Sequence, residues 1–334
     1  METLISNFTK QVSQSLEISA NSWLSPVKRK IKSVVITGMG TAGIGGNIVS
    51  EAIASEAKYP IIINKDYSIP NFVTKNTLVI VCSYSGNTEE TLVALNEAIL
   101  KGCVIVCITS GGKMEELAIK KGIDVILLPK VMPSRSSISY SIIQLLFILN
   151  FYSVISANYK ISVLQAIKTI DSEEQNIMNE AKEAASFLFN KLPIIYTVTG
   201  MASVALRFCQ QLNENSKTLC WYNVFPELNH NELQGWDQKN NNFALIIFRS
   251  EYDYPRTSKR IDISTEIIDD LDASIKEVYA KGNSPLERML YLIHWGDWAS
   301  FYLAELKGID SKDIRLISYL KWELSKVKDT LLLK

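Results

Sequence analysis

Short apolar runs rich in β-branched residues recur along the chain, separated by longer stretches in which apolar positions return every three or four residues. The runs 33–37 (SVVIT), 60–64 (PIIIN), 78–83 (LVIVCS), 104–109 (VIVCIT) and 124–129 (DVILLP) read as strands. Between them IGGNIVSEAIAS, NTEETLVALNEAILK and KMEELAIKKG read as helices. These strands are apolar throughout rather than alternating, which predicts a sheet covered on both faces, hence parallel and doubly wound. A second series follows at 193–200, 219–225, 244–249 and 274–280. Residues 136–190 carry helical periodicity and no strand character. Two helices close the chain. One opens at Ser284-Pro285 with Glu287 three positions after the serine, a capping box with proline at the first helical position. The other runs roughly from Lys312 to Lys328.

The two series resemble each other. VVITGMGTAGIGGNIVSEA and IYTVTGMASVALRFCQQLN both read as a strand, then TGM, then a helix rich in small residues. Each is followed some 45–50 residues later by a buried strand that ends in polar residues, CSYS and FRSE. Two copies of one α/β unit explain this economically. The expected fold is two doubly wound α/β domains with mainly parallel sheets flanked by helices, dividing into residues 1–153 and 154–334.

Composition narrows the function. The chain has 334 residues, with 35 Lys+Arg against 35 Asp+Glu. That neutrality argues against a nucleic-acid or anionic-membrane partner. The only histidines are His230 and His294, too few for most zinc-enzyme designs. Five cysteines without a CxxC fit no disulfide framework, and Cys103 and Cys107 read as buried thiols in an apolar run. A reduced, cytoplasmic setting is expected. The first residues are mixed and polar, unlike the apolar core of a signal peptide, and no apolar stretch approaches the ~18 residues of a membrane span.

Four segments could carry chemistry. In TGMGTAGIGG, Gly38, Gly40 and Gly43 formally satisfy the dinucleotide fingerprint between a strand and a helix. The acidic residue expected at the end of the second strand is missing, since that strand ends in Asn64 with Asp66 two positions on. The same glycines would equally serve a tight turn and close helix–sheet packing. CSYSGNTEET is more specific. Ser83, Ser85 and Thr88 offer three hydroxyls where a strand turns into a helix, and Gly86 allows close backbone approach. Free N–H groups at the helix start suit a phosphate, whereas capping alone needs one hydroxyl. Arg135, in PKVMPSRSSIS, leaves another strand at the same carboxyl edge, where it could neutralise an anion or a developing oxyanion. Glu214 in QLNENSK and His230 in FPELNHNELQGW sit in polar clusters that follow buried elements.

Taken together, SYSGNTEET, NENSK and PELNHNE resemble the sugar isomerase (SIS) domain superfamily and, within it, the bifunctional phosphoglucose/phosphomannose isomerases. The resemblance covers nearly the whole chain. It implies tandem SIS-type domains, with a terminal helix packing back toward the active site. It further implies interconversion of glucose 6-phosphate, and of mannose 6-phosphate, with fructose 6-phosphate, without metal or redox cofactor. Glu214 matches the base that moves a proton between C1 and C2. His230 matches the ring-opening histidine, supplied by the partner subunit of a homodimer. Arg135 occupies the loop of the arginine that stabilises the enediolate, and Lys321 in YLKWEL matches a C-terminal lysine near the ring oxygen. Ser83, Ser85 and Thr88 match the phosphate-binding hydroxyls, with Gly40 and Thr41 in the first substrate-binding loop.

The chain departs from the family pattern in that first loop. The family reads close to GMGGSAIGGD; here Ala42 stands for the serine, Thr41 precedes it, and Asn47 replaces the closing aspartate. The family's Pro-Arg pair is split as Pro133-Ser134-Arg135. Two rival readings follow: a non-catalytic SIS module that senses a phosphosugar, and a nucleotide-dependent enzyme built on the 38–43 glycine loop.

Overall fold

The computed structural model describes residues 1–237, 241–271 and 273–327. The chain opens with two helices that the mixed, polar N-terminal sequence does not announce, α1 (Glu2–Ser6) and α2 (Phe8–Asn21). The first sheet follows: β1 (Ser33–Gly38), α3 (Gly40–Ala52), β2 (Ile61–Asn64), β3 (Thr77–Cys82), α4 (Glu89–Leu100), β4 (Val104–Thr109), α5 (Gly112–Lys121) and β5 (Asp124–Leu127). Then come α6 (Ile138–Phe151) and the long α7 (Tyr159–Leu188). The second sheet comprises β6 (Leu192–Val198), α8 (Ala202–Ser216), β7 (Trp221–Phe225), β8 (Phe243–Arg249), α9 (Pro255–Asp269) and β9 (Ser274–Tyr279). The chain then continues into α10 (Pro285–Leu306) and α11 (Arg315–Leu324). Lys328, where the sequence pattern ends the last helix, lies outside the described residues.

Every strand pairing is parallel, in the orders β2-β1-β3-β4-β5 and β7-β6-β8-β9. The second order repeats the first without its fifth strand, so the internal likeness of the sequence is a likeness of topology. In each sheet the chain order reverses beside the first strand, between β1 and β3 and between β6 and β8. The carboxyl end at such a switch point is where an open parallel sheet leaves a crevice.

α2 is amphipathic with an unusual buried face: Phe8, Gln11, Val12, Ser15 and Ser19. Its polar members are satisfied by α6. Ser19 donates to Gln144 Oε1 at 3.0 Å, Gln144 Nε2 to the Ser15 carbonyl at 2.8 Å, and Ser139 to Gln11 Oε1 at 3.1 Å. α10 begins as its sequence predicts, with Ser284 accepting from Glu287 N at 3.3 Å. The Glu287 carboxylate returns to Asn283 N at 3.0 Å and accepts from the Ser284 hydroxyl at 2.8 Å.

One core joins the two sheets. It contains Ile36 and Ile80 of the first, Ile195, Ile246 and Phe248 of the second, and Phe208, Leu212, Trp295 and Trp298 from α8 and α10. The other face of the second sheet carries a separate core of Ile194, Tyr196, Leu245 and Ile247 under Leu228, Trp236, Ile261 and Ile268. α8 and the segment around His230 therefore lie on opposite faces of the second sheet. α8 is also fixed to the first half at its start. Glu51 of α3 accepts from Ser203 N at 3.1 and 3.2 Å and from the Ser203 hydroxyl at 2.6 Å. Burial pushes the Glu51 carboxyl above its usual range, and these hydrogen bonds pull it back.

Candidate active site

The serine loop forms at the carboxyl end of β3, beside the switch point. Ser83 is buried and its hydroxyl meets that of Thr88 at 2.8 Å. Thr88 is the N-cap of α4, yet its side chain caps no N–H of the first turn. Those donors remain turned toward the loop, the arrangement that binds an anion. Ser85 is exposed, and its oxygen accepts from Asn87 N at 3.2 Å.

The rigidity of this loop comes from a neighbour that carries no sequence signature of its own, Gly111-Gly112 after β4. Gly86 has φ +67°, and a Cβ there would lie 1.7 Å from the Gly111 carbonyl oxygen. A Cβ on Gly112, at φ +76°, would lie 2.5 Å from the Ser85 carbonyl oxygen. Contact at that range lets Met114 N donate to the Gly86 carbonyl at 2.9 Å and Ser110 N to the Tyr84 carbonyl at 2.9 Å. Gly86→Ala should lower unfolding stability by about 2–4 kcal/mol, combining positive-φ strain with backbone overlap. Denaturant midpoints measured beside the wild-type chain check this.

The glycines of the first loop have a different job. A Cβ on Gly38 would approach the Cys82 carbonyl oxygen to 2.7 Å, and one on Gly43 the Gly38 carbonyl oxygen to 2.4 Å. They seat α3 on β1, which accounts for the pattern by packing. Asn64, at the strand end where a dinucleotide site carries an acid, donates inward to Thr37 Oγ1 at 3.2 Å and the Asp66 carbonyl at 3.1 Å. Gly40, at φ +53°, is exposed at the start of α3 with Thr41 half-buried beside it. Midway along α3, Asn47 Oδ1 is buried with no hydrogen-bond partner.

Arg135 lies in a short 3-10 turn, Ser134–Ser137, leading into α6. Tyr84 ties this segment to the serine loop: its hydroxyl donates to the Pro129 carbonyl and accepts from Val131 N. The Arg135 side chain is 2% exposed and meets Glu214 of α8, with Nη1 3.3 Å from Oε2. Its Nε donates to Asn215 Oδ1 at 2.7 Å, and its Nη2 to the Ser311 carbonyl. Burial and the nearby Arg207 charge lower the Arg135 pKa, and Glu214 opposes them. Glu214 keeps a third of its side-chain surface, so the carboxylate is both held and reachable.

Beneath this pair runs a buried polar network. Arg207 Nη2 donates to the Arg135 carbonyl at 2.8 Å and pairs with Asp297 at 3.1 Å. Gln211 Nε2 donates to the same carboxylate at 2.6 Å, and Asn215 Nδ2 to Ser300 Oγ at 2.9 Å. Lys217 closes the helix in the left-handed region and donates to the carbonyls of Glu214 at 2.7 Å and Asp310 at 3.0 Å. Burial, joined by the positive charge of Arg135, lowers the Lys217 pKa. Backbone and side chain around Glu214 are thus fixed from three elements. Arg207, Asp297 and Ser311 escape sequence reading because their partners lie 72 to 176 positions away, whereas Asn215 falls within the NENSK motif.

The remaining expected residues lie apart from this centre. His230 ends a 3-10 turn after β7 and is exposed on the far face of the second sheet. There it borders a cavity of about 360 Å³ lined by Leu233, Trp236, Ile267 and Leu271 among others. Lys321 is exposed on α11, a helix that buries none of its residues. The terminal segment does return to the centre, but through Asp310 and Ser311 rather than through the helix itself. His294 is 1% exposed, bonded to Glu174 at 2.6 Å and stacked on Phe8, a packing role.

Both halves carry the sugar-isomerase (SIS) fold, a doubly wound parallel sheet. The profile of the bacterial phospho-glucose isomerase C-terminal SIS domain matches residues 177–324. The C-terminal domain of glucosamine-fructose-6-phosphate aminotransferase from Francisella tularensis superposes with a TM-score of 0.73, at 15% identity, over 93% of this chain and 97% of that one. A bifunctional phosphoglucose/phosphomannose isomerase from Caldicellulosiruptor bescii is 37% identical, over 97% of this chain and 98% of its own length. One from Aquifex aeolicus is 35% identical, over 88% and 91%. The chain belongs to the bifunctional phosphoglucose/phosphomannose isomerase family.

Proposed function

We propose that the chain is an aldose–ketose isomerase interconverting fructose 6-phosphate with glucose 6-phosphate and mannose 6-phosphate. The observation that carries the reading is Arg135 and Glu214 in contact at 3.3 Å, with Tyr84 of the three-hydroxyl loop hydrogen-bonded to the backbone of the segment that leads to Arg135. In this reading Ser83, Ser85, Thr88 and the first turn of α4 hold the phosphate, and Gly40 and Thr41 line the sugar. Glu214 removes the C2 proton of the open-chain aldose and returns it to C1. Arg135, buried and pinned on three sides, holds the enediolate charge with no reorganisation when that charge develops. The exposed third of Glu214 is what a sugar carbon would meet.

Ring opening needs a proton moved from a hydroxyl to the ring oxygen, the role assigned to His230 with Lys321. His230 lies across the second sheet from its own Glu214, so the two belong to one site only if a second copy supplies the histidine. The working unit in this reading is a homodimer with two shared sites. The division at 153/154 falls in the turn between α6 and α7, and the five cysteines are free thiols, which suits the cytoplasm. Among the described residues no helix is long and apolar enough to cross a membrane.

A coupled assay starting from fructose 6-phosphate, read separately for each aldose, tests the reading. Both aldoses should form, and His230→Ala should slow the cyclic substrate at least about tenfold more than an open-chain analogue. Ligand-induced thermal stabilisation without turnover would instead identify a phosphosugar sensor.

A further inference from the structure

Glu232 stands two positions after His230 and collects hydrogen bonds from the edge of the second sheet. Its Oε1 accepts from the Tyr196 hydroxyl at 2.6 Å and from Trp221 Nε1 at 2.9 Å, and its Oε2 accepts from Asn223 Nδ2. Register explains the convergence. Tyr196 of β6 lies directly beside Asn223 of β7, and Trp221 is two residues back along β7, so all three side chains leave the sheet on one face. That is the face that carries the His230 segment. Tyr196 is fully buried, and its oxygen accepts in turn from Trp236 Nε1 at 2.9 Å.

This set of partners demands a carboxylate. Three donors meet at residue 232, and a glutamine there could serve only two of them. Its oxygen would take Tyr196 and Trp221, leaving its amide N–H groups against those of Asn223. Asn223 cannot turn its own oxygen to meet them, because Oδ1 already accepts from Val224 N at 2.8 Å. Two donors set face to face forfeit the bond and keep the cost of desolvation. His230 depends on such anchoring. Its ring is exposed and has no hydrogen-bond partner among the described residues, so its aim is set by its backbone. Before the ring, Leu228 is buried in the core and Asn229 Nδ2 donates to Ser264 Oγ at 2.8 Å. After it, Asn231 Oδ1 accepts from Glu232 N at 2.6 Å, and the Glu232 side chain carries that hold to the sheet.

We infer that Glu232 is a positioning residue for ring opening, its carboxylate anchoring the His230 segment to β6 and β7 and so fixing where the imidazole stands. This deepens the isomerase reading above and rests on His230 as the ring-opening residue. Glu232 itself transfers no proton. The anchor is complete within one chain, whichever copy's sugar the histidine serves. Its loss should slow the step that needs His230 and spare the proton transfer at Glu214, which lies across the second sheet.

The test exchanges the two partners. Glu232→Gln sets donor against donor and Asn223→Asp sets acceptor against acceptor, whereas the double variant lets the new amide donate to the new carboxylate. Each single variant should lose about ten- to a hundredfold in kcat on the cyclic substrate, with KM within about threefold and the open-chain analogue within about twofold of wild type. The double variant should return to within about threefold of wild type. Proton NMR supplies a readout free of catalysis. With two histidines in the chain, His230→Ala assigns the His230 ring signals, which should shift in each single variant and return in the double one. If the single variants unfold, Trp221→Phe decides, since it removes one donor without opposing another; a loss of about threefold confined to the cyclic substrate is expected. Unmoved ring signals with wild-type turnover of the cyclic substrate, or a double variant no better than the singles, would overturn the positioning role and leave His230 in place. Equal slowing of cyclic and open-chain substrates by His230→Ala would instead overturn the ring-opening reading on which that role rests.

Discussion

Replacing Glu214 by glutamine is expected to lower the turnover of fructose 6-phosphate by about a thousandfold, within the range for removal of a general base. The amide keeps an oxygen in the position that meets Arg135 at 3.3 Å, so the buried arginine retains its partner and the loop its geometry. KM should therefore change by less than about threefold, because the phosphate cradle of Ser83, Ser85 and Thr88 is untouched. The loss falls on the proton transfer alone. Exchange of the substrate's C1 and C2 protons with deuterated solvent, followed by proton NMR, should vanish together with turnover. Wild-type turnover in this variant would dismiss Glu214 as the base, whatever else binds the sugar.

The second large effect is a recovery. Glu214→Gln and His230→Ala are each expected to be nearly inactive alone, yet mixing the two under conditions that let subunits exchange should restore activity. Random pairing makes about half of the dimers hybrids, and one of the two sites in each hybrid joins an intact Glu214 to an intact His230. The mixture should reach about a quarter of wild-type activity per site. The expectation follows from the layering of the second sheet, with α8 on one face and the His230 segment on the other. A mixture no more active than the sum of its parts would place His230 outside the site of the other copy.

Much of the fold was legible because its strands are buried on both faces. An apolar run such as LVIVCS leaves little choice of element, and all nine strand positions read from the pattern are strands in the structure. The helices that escaped lack that redundancy. α9, PRTSKRIDISTEIID, is rich in β-branched residues and buries only Ile261, Ser264 and Ile268. α2 buries glutamine and serines whose partners lie more than a hundred positions away on α6, so hydropathy cannot mark its inner face. At the site, motifs pointed to Arg135 and Glu214 and tertiary structure brings them together. Motifs could not point to Arg207 and Asp297, which hold that pair from beneath. The terminal helix was read over 312–328 and runs over 315–324, because the Asp310–Asp313 turn takes up its expected first residues.

α8 is clamped at both ends by the first half of the chain: Glu51 grips Ser203 at its start, and Arg135 grips Glu214 and Asn215 at its finish. A helix held in this way is a strut, and a strut forbids a hinge. Rotating one sheet away from the other would break both grips at once, each made by a side chain largely withdrawn from water. The sugar therefore cannot be enclosed by the closing jaws that many two-lobed proteins use. In the shared-site proposal, what shuts water out of this crevice arrives with the second copy, and assembly does what a lid does elsewhere. On that proposal the shelter of the reacting carbon is a property of protein concentration, present in the pair and absent from the single chain.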